Sequence, residues 1–140
     1  MTITCHPFSH LILAPSETAA MEFLALQRHS FSDPERLWFF YYGSQPNEAQ
    51  FNPMMKCHDK KKIILLHEDD LLGRVSAIKI ACWLKKRAVK ITYQSGETIR
   101  LEYRDKRYDF PEHQLSLNRF EKCSGFRSQI RTYKLPKQAS

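Results

Sequence analysis

The sequence predicts an α+β fold: a single domain over residues 1–140, with two main helices packed on a mixed or antiparallel sheet and a C-terminal part forming an antiparallel β-meander. Three observations predict it. Apolar residues recur at helical spacing in two stretches, short apolar runs bounded by proline or glycine precede and separate them, and beyond Arg87 the period drops to two. A chain of 140 residues, 42% apolar and 12% aromatic, buries enough surface to fold without a disulfide or metal staple.

Phe8 to Ala14 is an apolar run ending at Pro15, the mark of a buried strand that stops where the ladder loses a donor. Ser16 then caps a helix, with Glu17 in its first turn and Ala20, Met21, Phe23, Leu24, Gln27 and Arg28 at helical spacing. Leu37 to Tyr42 is a run of six large apolar residues between Pro34 and Gly43, read as a strand buried on both faces. Residues 43–62 carry Pro46, Pro53, Asn47 and Asn52 and few aliphatics, which predicts a long loop or flap.

Ile63 to Leu66 reads as a second buried strand, and Glu68-Asp69-Asp70 opens the clearest helix of the chain. Leu71, Val75, Ile78 and Cys82 follow at i, i+4, i+7 and i+11, and Lys85-Lys86-Arg87 closes the helix where its dipole favours cations. Gly73 in its second turn costs about 1 kcal/mol relative to alanine.

Val89, Ile91 and Tyr93, then Ile99, Leu101 and Tyr103, alternate with polar residues across Ser95-Gly96, which predicts a hairpin. A two-residue loop would put the two apolar sets on opposite faces, whereas a three-residue loop ending at Glu97 pairs Ile91 with Leu101. A turn at Asp105-Lys106 leads to Arg107–Phe110, Pro111 breaks the chain, and Leu115, Leu117, Ile130 and Thr132 continue a strand-like pattern across Ser124-Gly125. Residues 136–140 read as a frayed tail.

Charge divides this chain unevenly. Residues 1–55 carry a net −3 and the remainder +10, giving the total of +7. A single-sign excess in one part of a small domain gathers anionic partners. The sequence therefore reads as a small basic binding protein without an enzymatic motif, contacting nucleic acid or another polyanion through the basic face of its C-terminal sheet. Lys90, Arg100 and Arg104 fall on the exposed hairpin face, Lys106 and Arg107 extend it at a turn, and Arg127 and Arg131 flank it. Tyr93, Tyr103, Tyr108 and Phe120 are candidates for stacking on bases.

The alternative is a protein-interaction module, an adaptor, regulator or inhibitor that meets an acidic partner, with Trp38, Tyr42 and Phe51 as aromatic anchors. Cysteine-dependent catalysis would need Cys57 with His58 or His67 and Asp69, and zinc would draw on Cys5-His6, Cys57-His58, His10, His67 and Cys123. Neither set has the spacing such sites use, so no catalytic, metal or cofactor residue is assigned. With four glycines there is no GxGxxG or GxxxxGK[ST], which argues against phosphate-loop chemistry. The opening residues lack a secretory pattern, no apolar run is long enough to span a bilayer, and the scattered cysteines read as reduced thiols; together these predict a cytoplasmic location without membrane contact.

Overall fold

The strands sort into two sheets around a shared helix. The computed structural model describes residues 9–56 and 62–136. Strand β1 (His10–Ala14), β2 (Leu37–Tyr41), β3 (Ile63–His67) and β7 (Arg131–Lys134) form a four-stranded parallel sheet in the order β2-β1-β3-β7. Strands β4 (Lys90–Gln94), β5 (Thr98–Tyr103) and β6 (Lys106–Pro111) form a separate antiparallel sheet. The α+β class stands, but the strands are not members of one mixed sheet.

Helix α1 (Glu17–Gln27) covers one face of the parallel sheet and α2 (Leu71–Leu84) the other. The pleat sorts the side chains: Ile12, Ala14, Ile64 and Leu66 meet Ala20 and Phe23 of α1, while Leu11, Leu13, Ile63 and Leu65 meet Ala77, Ile80 and Leu84 of α2. Both central strands are therefore continuous apolar runs, as parallel strands covered on two faces require.

Helix α2 is itself covered twice. Its Val75, Ile78, Ala81 and Cys82 pack under Ile99, Leu101, Tyr103 and Phe110 of the antiparallel sheet. That explains a helix apolar almost all round, since each side seals a different core.

Three sequence expectations change. Residues 43–62 are no flap over their described part: Glu48–Lys56 winds into a 3-10 helix whose Phe51 and Met54 are 0% exposed. Residues 57–61 lie outside the described residues, as do 137–140 of the expected tail. Leu115 and Leu117 are not strand residues. Ser116 accepts a hydrogen bond from the Arg119 amide and caps α3 (Leu117–Ser124), which seats Leu117 and Phe120 against the antiparallel sheet. Finally, β2 is an edge strand and only half-buried along Trp38–Phe40, because among the described residues no further strand lies beyond it.

The hairpin follows its sequence. Ile91 pairs with Leu101 across a three-residue loop, with Gly96 and Glu97 at φ of +78° and +59°. Among the described residues no helix is long and apolar enough to cross a membrane.

Candidate nucleic-acid interface

Chain direction fixes where the charges gather. Helices α1 and α2 each follow a parallel strand, so both begin where the strands end and finish where the strands begin. Helix α3 runs the same way, from a cleft it shares with His67 and Lys134 down to the loop whose Gln129 accepts a hydrogen bond from Lys85. Dipoles aligned in this sense favour acids at the first pole and cations at the second.

The first pole holds Glu17, Glu68, Asp69 and Asp70. The second receives Lys85, Lys86 and Arg87 from the end of α2, Lys90 from the start of β4, Arg104 and Lys106 from the β5–β6 turn, and Arg131 from the start of β7. Arg131 and Lys62 both lie near His10 there and, after burial, are the causes that lower its pKa.

The outward face of the antiparallel sheet is less basic than the sequence predicts. Register aligns Lys90, Glu102 and Arg107 in one row and Thr92, Arg100 and Asp109 in the next. Arg100 donates from Nε at 2.8 Å and Nη2 at 3.2 Å to the two oxygens of Asp109, which holds that carboxyl below its usual range. Arg107 pairs with Glu102 at 3.4 Å. Arg100 and Arg107 are thereby offset in place, and the free positive charge moves to the rim.

That rim has two adjoining grooves that share Ala88 and Val89. One, about 500 Å³, is walled by Lys90, Arg104, Lys106 and Arg107 with Glu102 and Asp105. The other, about 540 Å³, is walled by Lys86, Arg87, Trp83, Asn52 and Glu48. Six cations face three carboxylates across the pair.

The backbone at this rim is unusual. Helix α2 ends in a two-bond C-cap: the Arg87 amide donates to Cys82 O at 2.9 Å and the Lys86 amide to Trp83 O at 3.0 Å. The residue between must be left-handed, a position glycine usually fills, yet here it is Lys86 at φ +55°. The tight β5–β6 turn likewise places Arg104 at φ +52° and Asp105 at +64°, where Asn-Gly is the favoured pair. Arg104 lies over the Tyr103 ring at 5.6 Å, a cation–π contact that settles its guanidinium on the sheet edge.

Of the remaining expectations, Arg127 is exposed in the loop between α3 and β7. Tyr103 and Phe120 are buried, so neither can stack on a base. Trp83, which sequence reasoning missed, is an aromatic that lines the cationic groove. It stacks on Phe51 at 5.8 Å, and its place one turn before Lys86-Arg87 is the signal that could have found it. Tyr42 is 4% exposed and donates to Leu66 O at 2.6 Å, and Phe51 is fully buried, so these two rings belong to the core and cannot anchor a partner; Trp38 packs half-buried against the same core.

At the opposite pole a crevice of about 410 Å³ opens between the first turns of α1 and α2, where chain order reverses between β1 and β3. Two of its acids have structural surroundings of their own: Asp70 caps α2 at Gly73 N, 2.7 Å, and Asp69 stands 3.6 Å from Arg74 and 3.9 Å from Lys134. Burial pushes the Cys82 thiol up to about 12, so it packs as an inert hydrophobe. Cys5, His6, Cys57 and His58 lie outside the described residues, among which no group of three or more His, Cys, Asp or Glu is placed to hold a metal ion. No protein-family model, curated protein or solved structure matches this chain.

Proposed function

We propose that this is a cytoplasmic, non-enzymatic protein that binds single-stranded nucleic acid along the two grooves that meet at Ala88–Val89. The observation that carries it is the left-handed backbone at Lys86 and Arg104. A cation retained where glycine is cheaper, twice on one rim, argues that the charge is kept for a purpose other than stability. Grooves lined by cations follow a phosphate backbone, and an indole beside them offers a stacking surface that tolerates any base.

The test separates binding from folding. Lys86→Gly with Arg104→Gly suits the left-handed positions, so stability in urea should be unchanged or raised by up to about 1 kcal/mol per site. Affinity for a fluorescent single-stranded oligonucleotide should fall about tenfold. Its log–log salt slope should become shallower by about 1.4, the share of two phosphates. Absent binding of the unsubstituted protein at low salt, or equal binding by the double variant, overturns the proposal.

A further inference from the structure

A second cleft, about 240 Å³, lies at the pole opposite those grooves, between the first turns of α2 and α3 and beside the ends of β3 and β7. Its chemistry is cationic with one acid. Arg74 comes from α2, Arg119 from α3, Lys134 from β7, His67 from β3 and His113 from the turn before α3, with Asp69 the lone carboxylate among the described lining residues.

Arg74 is the unusual member. Its side chain is only 17% exposed, and Nη2 donates to Glu112 O at 2.9 Å. Nη1 stands 3.6 Å from Asp69, beyond hydrogen-bond reach, and Nε is buried without a hydrogen-bond partner among the described residues. A buried guanidinium donor without a partner is costly, and a native fold keeps one where a ligand or task accounts for it. Lys134 is likewise 3.9 Å from Asp69, so its ammonium is near the acid without being satisfied by it.

Among the described residues that line it, three permanent cations stand against one carboxylate, a net charge of +2 before either imidazole is counted. That matches a dianion. The acceptors refine the match: His67 Nδ1 lies 3.0 Å from Glu68 O, which as a carbonyl only accepts, so the proton is on Nδ1 and Nε2 keeps its lone pair. A cleft that combines guanidinium and ammonium donors with a carboxylate and an imidazole lone pair suits an oxyanion that carries a proton of its own. We infer that this cleft binds inorganic phosphate as its singly protonated dianion and favours it over sulfate, which at neutral pH has no proton to give Asp69 or His67.

Isothermal titration of the whole chain with inorganic phosphate, glycerol phosphate and sulfate tests this. Saturable phosphate binding is expected, with sulfate weaker by about tenfold, the value of one lost hydrogen bond to a charged group. Glycerol phosphate, whose dianion near neutral pH carries no proton on the phosphate, should bind as weakly as sulfate; binding as tight as that of inorganic phosphate, or tighter, overturns the inference. Arg74 also holds the chain at Glu112, so the exposed Arg119→Gln and Lys134→Gln variants carry the mutational arm, each expected to weaken phosphate about tenfold. Lys86→Gly with Arg104→Gly, at the far pole, should leave it unchanged. No saturable phosphate binding, equal affinity for sulfate, or indifference to both cleft substitutions overturns the inference.

Discussion

Gly73 has the wrong residue type for a helix and the right one for its place. Helix propensity alone favours alanine there by about 1 kcal/mol. Yet a Cβ at this position would stand 2.2 Å from the Glu68 carbonyl oxygen and 2.9 Å from its amide nitrogen, both backbone atoms of the segment that leads into the helix. Glu68 cannot retreat cheaply, because Asp70 two residues on is fixed by its cap to Gly73 N and the preceding His67 O accepts from the Leu135 amide at 2.8 Å. Gly73→Ala should therefore destabilise by about 1–3 kcal/mol, the cost of overpacking outweighing the propensity gain. Urea denaturation would show a lower midpoint with an unchanged slope, and a raised midpoint would refute the close approach. The sequence could present Gly73 only as a cost, since the contact that justifies it comes from a loop folding back.

At the scale of elements, the legible parts were those whose signals are local. Ser16 and Asp70 cap α1 and α2 by accepting from Ala19 N and Gly73 N, and the lysines after Leu84 close the second helix. The three-residue hairpin loop followed from the requirement that Ile91 and Leu101 share a face. What failed depended on distant partners. Leu115 and Leu117 alternate like a strand, and nothing nearby reveals that Ser116 caps a helix of eight residues. The segment after Gly43 looks like a loop in composition, because only tertiary contacts show that Phe51 fits among Phe40, Tyr42 and Trp83. This gives the 3-10 helix Glu48–Lys56 a specific energetic role. Phe51→Ala should cost about 3–5 kcal/mol, whereas an aromatic offered to a partner would cost little. Amide exchange is the sharper check: residues 48–54 should lose protection first, while β4–β6, packed on the far side of α2, keep theirs. Uniform loss would mean the two cores do not open separately.

Over the whole molecule, the uneven charge of the sequence resolves into a pole where Lys85, Lys86, Arg87, Lys90, Arg104, Lys106 and Arg131 gather and an opposite pole where Glu17, Glu68, Asp69 and Asp70 stand beside Arg74, Arg119 and Lys134. It could not be located from sequence, because it depends on three helices running the same way and on the β5–β6 turn returning to the end of α2. Each pole also carries a histidine whose protonation the fold resists. His10, at the cationic pole, has its pKa lowered first by burial and then by Arg131 and Lys62. His67, at the other, is lowered mainly by burial, with Lys134 and Arg74 adding to it and Glu68 O and Asp69 opposing. For both, the folded value lies below that of the unfolded chain, near 6.5. Between the two values the unfolded chain binds more protons than the native one, so stability rises with pH across that window, is complete above it, and is lost as pH falls. The urea midpoint should accordingly decline from about pH 7.5 to about pH 5.5, a range that ends above ordinary carboxylate titration. His10→Gln and His67→Gln should each flatten the decline. Added salt should reduce the His10 part more, since some of its shift comes from charges near the surface that ions screen, whereas burial is not screened. A midpoint that holds steady or rises on acidification would show that neither ring is held neutral by the fold.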